Sequence, residues 1–150
     1  MSALIRVSDA ATLGLHATAL LAGASEPLTV RDIASALGVS ANHLAKVMQR
    51  LVRAGIVAGR RGPRGGFALT NKAERISLRA VYEAVEGTLA FTHCLLGQPV
   101  CRGTCPLGGL LREQNRVLTQ ALEKTTVAVF ARRWGGPRAS DARRRTRHAT

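Results

Sequence analysis

The sequence predicts a mainly α fold, a winged helix-turn-helix with a small β-hairpin wing and a long C-terminal dimerisation helix. Aromatic residues make up only 3% of the 150 residues while hydrophobic residues reach 46%, which favours closely packed helices in one domain. Two short helical segments joined by a Gly-containing turn precede a basic, glycine-rich hairpin. The last third of the chain carries an apolar stripe with coiled-coil spacing.

The first half of the chain predicts three helices from their polar caps. Ser8 begins the first helix, over 8–21, and Thr29 begins the second, where Asp32 completes a capping box. Gly38 ends the second helix in a left-handed conformation. Ser40 begins the third helix, which extends through residue 53 with an apolar stripe on one side.

The two shorter helices have the arrangement of a helix-turn-helix, in which the second helix enters the major groove of DNA. Its outward face is polar and basic. We expect DNA contacts from the helix starts and from this face, at Thr29, Ser40, Asn42, His43, Lys46 and Arg50.

A hairpin follows, with predicted strands at 56–58 and 67–69 around the loop 59–66. Glycine lets the backbone approach phosphates closely, and arginine can enter a narrow minor groove. The loop therefore resembles a wing rather than a merely solvated turn, because a helix-turn-helix precedes it. The DNA contacts expected here are Arg60, Arg61, Arg64 and Gly65.

Two helices are predicted in the second half. Ser77 caps a helix that extends through Glu86, and Gly87 ends it. Pro106 begins a long helix that reaches about residue 131. We expect a second copy of this helix to cover its apolar stripe, giving a homodimer whose recognition helices meet half-sites about 34 to 36 Å apart. The stripe comprises Leu107, Leu110, Leu111, Gln114, Val117, Leu118, Ala121, Leu122, Thr125 and Val129.

The net charge of +13 indicates a polyanionic partner, either nucleic acid or an acidic membrane surface. Residues 132–150 contain seven arginines and one acidic residue, Asp141, without apolar periodicity. We expect a disordered basic tail there, either merely solvated or binding phosphates, after a regulator domain over 1–131 that includes the cysteine loop 93–106 and the dimerisation helix 106–131. No apolar run of membrane-spanning length occurs, so we expect a soluble, cytoplasmic protein without a membrane partner.

Three cysteines, Cys94, Cys101 and Cys105, lie on one Gly- and Pro-containing segment. Thiolates bind soft or borderline metals, and three of them on one loop can hold an iron-sulfur cluster or zinc. A redox sensor built on bare thiols is the alternative.

The order of these parts resembles the Rrf2-type transcription regulators, which include iron-sulfur assembly regulators, nitric-oxide-sensing repressors and iron-responsive repressors. The likeness covers residues 1 to about 131. It rests on the segment LVRAGIV at 51–57, the wing sequence RGPRGGF at 61–67, and a three-cysteine loop that enters a long helix.

The resemblance implies a 2Fe-2S or 4Fe-4S cluster held by Cys94, Cys101 and Cys105. Six and then three residues separate these cysteines, whereas several family members have nearly equal gaps. The family also implies a fourth ligand from the first helix of the second copy, where Asp9 has the matching position, with His93 and His16 as rivals. Asp9 can instead compensate the charge of the helix N-terminus.

These features together predict a sequence-specific DNA-binding repressor whose DNA affinity depends on a cluster that senses redox state, nitric oxide or iron. A cluster-free regulator that senses through thiol oxidation or a metabolite is one alternative, and a nonspecific architectural DNA-binding protein is another. We do not expect an enzyme, because Cys94 and the nearby histidines lack an accompanying oxyanion motif, phosphate loop or carboxylate pair.

Overall fold

The computed structural model describes residues 5–91, 93–96, 98, 100–102 and 105–142. A turn of 3-10 helix, Ala73–Arg75, follows the hairpin. The mainly helical winged helix-turn-helix is confirmed. Its elements are α1 Asp9–Ala22, α2 Val30–Leu37, α3 Ala41–Arg53, β1 Val57–Arg60, β2 Gly66–Leu69, α4 Leu78–Glu86, α5 Pro106–Lys124 and α6 Val127–Trp134.

Polar caps begin the helices at the predicted residues. The Ser8 hydroxyl accepts a hydrogen bond from the backbone N–H of Ala11, and Thr29 and Asp32 form the predicted capping box. Gly38 ends α2 with φ +67°, a conformation that glycine adopts without steric cost. These bonds pair backbone groups that a helix end leaves without partners, so local chemistry determines the ends of the helix-turn-helix.

The core lies where α1 packs against α3, α4 and α6. The contact between α1 and α4 is close, because a Cβ added at Gly14 would lie 2.9 Å from Cγ2 of Val85. Small residues on α1 therefore bring the helices together. The largest fully buried side chains include Leu28, Ile33, Leu44, Met48, Leu51, Val57, Val81 and Val127.

The wing is an antiparallel hairpin in which Val57 pairs with Leu69 and Arg60 with Gly66. Toward the tip, β1 extends two residues and β2 one residue beyond the predicted strands, and Leu28 adds a further pairing along β2. The backbone N–H of Leu28 donates to the carbonyl of Phe67 at 3.0 Å, and the N–H of Phe67 donates to the carbonyl of Leu28 at 2.7 Å. The segment between α1 and α2 is thus joined to the wing.

The prediction of one continuous helix over 106–131 is wrong. The chain leaves helical conformation at Thr125, and Thr126 caps the separate helix α6. The carbonyl of Thr125 accepts from the N–H of Leu78 at 2.9 Å, and the N–H of Val127 donates to the carbonyl of Ile76 at 2.8 Å. Two adjacent β-branched threonines with low helix propensity thus form a bridge to the segment before α4.

The end of the chain also differs from expectation. Helix α6 crosses the domain boundary expected between residues 131 and 132, and Ala142 is fully buried. Phe130 and Trp134 lie next to arginines in the sequence, so the basic charge of this segment gave no sign that it packs against the body. Residues 143–150, the remainder of the predicted disordered tail, lie outside the described residues.

Candidate nucleic-acid interface and cysteine loop

Helix α3 has one face in the core and a polar face on the surface. Leu44, Val47, Met48 and Leu51 are buried. Asn42, His43 and Lys46 are exposed, as expected for side chains that contact base edges. The Ser40 hydroxyl accepts from the backbone N–H of His43 at 3.4 Å, so it serves the helix start.

Arg50 lies on the exposed face as predicted, but it also has a partner within the chain. Its Nη1 donates to the backbone carbonyl of Val85, in the last turn of α4, at 2.7 Å. Helical spacing predicted that Arg50 is exposed. It could not predict this bond, because the acceptor is 35 residues away in the sequence. Arg50 thus joins α3 to α4, and its contact with DNA stays a prediction.

Thr29 is exposed at the start of α2, but its polar groups are engaged in the capping box. The hydroxyl donates to the Asp32 carboxylate at 2.7 Å, and the backbone N–H of Thr29 donates to the same oxygen at 2.9 Å. A contact between Thr29 and DNA stays a prediction. In the structure, Thr29 stabilises the start of α2, next to Leu28, which is hydrogen-bonded to the wing.

The wing tip presents its cations to solvent. Arg60, Arg61 and Arg64 are exposed, and among the described residues none of the three forms an ion pair. Gly65 closes the tip, because a Cβ there would lie 2.4 Å from the Arg60 carbonyl oxygen. The arrangement suits contact with a phosphate backbone, since no carboxylate of the described residues pairs with these guanidinium groups.

The cysteine loop connects α4 to α5. Cys94 and Cys105 are half-buried, Cys101 is exposed, and all three remain thiols. The Cys94 thiol donates to the carbonyl of Gln98 at 3.5 Å. Three thiols on one irregular loop form a donor set that fits an iron-sulfur cluster. In the described part of the loop, which omits 97, 99, 103 and 104, no three metal-binding side chains converge.

The N-terminal segment is attached to both helices that flank this loop. The backbone N–H of Ile5 donates to Oδ1 of Asn115 on α5 at 3.1 Å. The Tyr82 hydroxyl donates to the carbonyl of Arg6 at 2.8 Å, and burial raises the pKa of this phenol, with the charge of Glu86 adding to the effect. Ser8 hydrogen-bonds to Glu86. The segment thereby fixes the start of α1, where Asp9 is exposed.

The two histidines considered as ligands have different surroundings. Nδ1 of His16 lies 2.7 Å from the carbonyl oxygen of Thr12. The His16 ring packs edge-on against Phe130 and Trp134, with centroid distances of 5.3 and 5.0 Å. These contacts assign His16 to the packing of α1 against α6. His93 is exposed on the loop, next to Cys94.

Helix α5 carries two apolar stripes rather than one. Leu111 and Leu122 are buried and Leu118 is half-buried, so the chain itself covers the inner stripe, and the expectation that a second copy covers them is wrong. The outer stripe contains Leu107, Leu110 and Val117, which are 47%, 55% and 49% exposed. With Gln114 and Ala121, these residues have the alternating three- and four-residue spacing of a coiled-coil seam.

No helix in the described part of the chain is both long enough and apolar enough to cross a membrane.

Comparison with known proteins agrees with the fold and with a DNA-binding regulator. The profile of the Rrf2 family, described as an iron-dependent transcriptional regulator, matches residues 7–133. The transcriptional repressor NsrR of Streptomyces coelicolor is 33% identical over 135 residues, covering 89% of this chain and 91% of that protein. The transcriptional regulator IscR of Yersinia enterocolitica is 33% identical over 104 residues, covering 68% of this chain and 63% of that protein.

Solved structures support the same fold. CymR, the global cysteine regulator of B. subtilis, superimposes with a TM-score of 0.71 at 21% identity, covering 86% of this chain and 98% of that chain. IscR of T. potens gives a TM-score of 0.69 at 22% identity, covering 85% and 87% of the two chains. The expectation of a DNA-binding regulator rather than an enzyme is confirmed, and the chain belongs to the Rrf2 family of transcriptional regulators.

Proposed function

We propose that two copies of this chain form a repressor that binds a specific duplex, with α3 in the major groove and the wing alongside. The observation that carries this proposal is the combination of an exposed polar face on α3, at Asn42, His43 and Lys46, with unpaired arginines on the wing. The first set suits base edges and the second suits phosphates. NsrR of Streptomyces coelicolor, which is 33% identical to this chain, is named a transcriptional repressor, and this similarity supports the proposal.

Selection from a random duplex library tests sequence specificity. We expect enrichment of a two-fold symmetric site with half-sites about one helical turn apart. His43→Ala and Lys46→Ala should relax the base preference, while the control Arg112→Ala on α5 should leave it unchanged. If no sequence is enriched, the protein is the nonspecific architectural alternative.

The outer stripe of α5 is the proposed dimer seam. Leu107, Leu110 and Val117 would pack against the same residues of a second copy across a two-fold axis. Large apolar side chains this exposed on one helical face are costly in a monomer. The loop residues Leu95, Leu96 and Val100 are also exposed and lie just before this helix in the chain, so the same interface can extend to the cysteine loop.

Cys94, Cys101 and Cys105 would hold a 2Fe-2S or 4Fe-4S cluster, with Asp9 of the second copy as the fourth ligand. When bound, such a cluster supplies a centre that reacts with oxidants and nitric oxide. The description of the matching family as iron-dependent supports this assignment. Cys105 is the N-cap of α5, so a change in loop conformation acts directly on the start of the proposed dimer helix.

Purification without oxygen, followed by iron and sulfide analysis, tests the cofactor. We expect visible absorbance that is lost in Cys94→Ser, Cys101→Ser and Cys105→Ser, and reduced in Asp9→Ala. The control Asp141→Ala should retain it. DNA affinity should differ between cluster-loaded and cluster-free protein.

Thiol sensing is the second candidate, and the exposed position of Cys101 favours it. An iron-free protein whose DNA affinity changes on thiol oxidation would establish this alternative and overturn the cluster assignment.

A further inference from the structure

The C-terminal basic segment, residues 132–142, lies beside the end of α1 and the turn between α1 and α2. A cavity of about 580 Å³ is lined on one side by residues 19–28 and on the other by residues 131–140. Leu28 belongs to the first wall and also pairs with Phe67 of β2. Arg132 and Arg138 belong to the second wall. The segment therefore faces the turn between α1 and α2, which Leu28 joins to β2 of the wing.

The segment is anchored to the body rather than merely attached to its end. Trp134 packs on His16 of α1, and Ala142 is fully buried in the main core cluster. The backbone N–H of Arg138 donates to the Asp141 carboxylate at 3.1 Å, which closes a turn between these two anchors. The arginines are thus held on a fixed surface next to the segment between α1 and α2.

Two acidic side chains lie near the arginines of this segment, Asp141 within it and Glu26 on the facing wall of the cavity. Arg132, Arg133 and Arg138 are exposed, and no ion pair to them occurs within the described residues. Exposed arginines that form no ion pair in the described part of the chain match the phosphate backbone of a duplex.

We infer that the C-terminal basic segment is a third DNA-contact element, which binds phosphates of the duplex that flanks the wing. The inference rests on the proposed DNA-binding mode, because it needs the wing to face the duplex. Each phosphate contact lowers the slope of log affinity against log salt concentration by about 0.9 for duplex DNA. The contact carries no sequence information, so it strengthens binding to all duplexes alike.

The test compares Arg132→Gln/Arg138→Gln with the matched control Arg112→Gln/Arg116→Gln, which removes the same charge from exposed positions on α5. Affinity is measured over a range of salt concentrations for the selected duplex and for a random duplex. We expect the salt slope of the first variant to be shallower by about 1.8 on both duplexes, for two lost contacts. The control should keep the slope of the unmodified protein.

Three outcomes have separate meanings. If the unmodified protein binds its selected duplex and both variants keep its salt slope, the inference is overturned while the proposed function stands. If the unmodified protein selects no duplex, the proposed function fails first. Binding to phosphatidylserine vesicles that is lost only in Arg132→Gln/Arg138→Gln, with an unchanged DNA slope, would assign the segment to a membrane surface and overturn the inference. Thermal unfolding verifies that both variants remain folded.

Discussion

The guanidinium group of Arg50 donates a 2.7 Å hydrogen bond to the backbone carbonyl of Val85. Arg50 lies on the recognition helix α3, and Val85 lies in the last turn of α4, just before the cysteine loop. Gly14 of α1 packs against the Val85 side chain at the same place. A displacement of the end of α4 must therefore either move α3 or break this bond, which gives the loop a physical connection to the DNA-binding face.

Arg50→Met should lower the free energy of unfolding by about 1 kcal/mol, because it removes the hydrogen bond while retaining the aliphatic part of the side chain. Urea denaturation measures the change. Gln49→Met, at the exposed neighbouring position, is the control and should have the midpoint of the unmodified protein. Equal midpoints for the two variants would show that the bond contributes nothing to stability.

Gly65→Ala should deform the wing and weaken DNA binding. Its Cβ would lie 2.4 Å from the carbonyl oxygen of Arg60 and 2.8 Å from that of Gly62, so the backbone of the tip has to move. Gly59→Ala is the matched control, because its Cβ would make an ordinary contact of 3.5 Å with the Phe67 ring. Fluorescence anisotropy with labelled duplex compares the two. Similar affinities would contradict the proposed role of the wing.

Leu110→Ala and Leu111→Ala should have different effects although the residues are adjacent. Leu111 is buried by its own chain, so its truncation should cost about 2 to 4 kcal/mol of stability at any protein concentration. Leu110 belongs to the outer stripe, so its truncation should weaken self-association and lower the unfolding temperature only through loss of the dimer. Analytical ultracentrifugation and thermal unfolding at several concentrations separate the two effects. A monomeric unmodified protein would refute the seam.

Thr29→Ala should lower stability by about 1 kcal/mol, because it removes the hydroxyl that accepts from the backbone N–H of Asp32. Thr29→Ser keeps a hydroxyl in the capping box and should restore most of that stability. Because the hydroxyl is engaged with Asp32, neither change should alter base preference in duplex selection. A change of preference in Thr29→Ala alone would instead assign the hydroxyl to DNA.

Truncation after residue 131 should destabilise the protein strongly, since it removes Trp134 and Ala142 from the packed body. Truncation after residue 142 removes neither residue and should leave the unfolding midpoint unchanged. Chemical denaturation monitored by circular dichroism compares the two proteins. If the two truncated proteins were equally stable, the domain boundary expected after residue 131 from the charge pattern would hold.

Local chemistry made the helix-turn-helix and the wing predictable from the sequence. Ser8, Thr29 and Ser40 cap the helices by bonding to backbone groups three residues away, so the signal and its effect lie in one short segment. Gly38 ends α2 for an equally local reason. The exposed positions on α3 followed from helical spacing, which also explains why the candidate DNA-binding residues could be named in advance.

The sequence by itself determined the starts of α1 to α5, the exposed polar face of α3, the basic wing and the clustering of three thiols, because short-range hydrogen bonding and periodicity fix each of them. Only the tertiary structure decided which stripe of α5 the chain covers, where Thr125 interrupts that helix, and that Arg50 bonds to Val85. It also brought Arg132 and Arg138 opposite the turn between α1 and α2. These features depend on partners tens of residues away, whose position follows from how the helices pack.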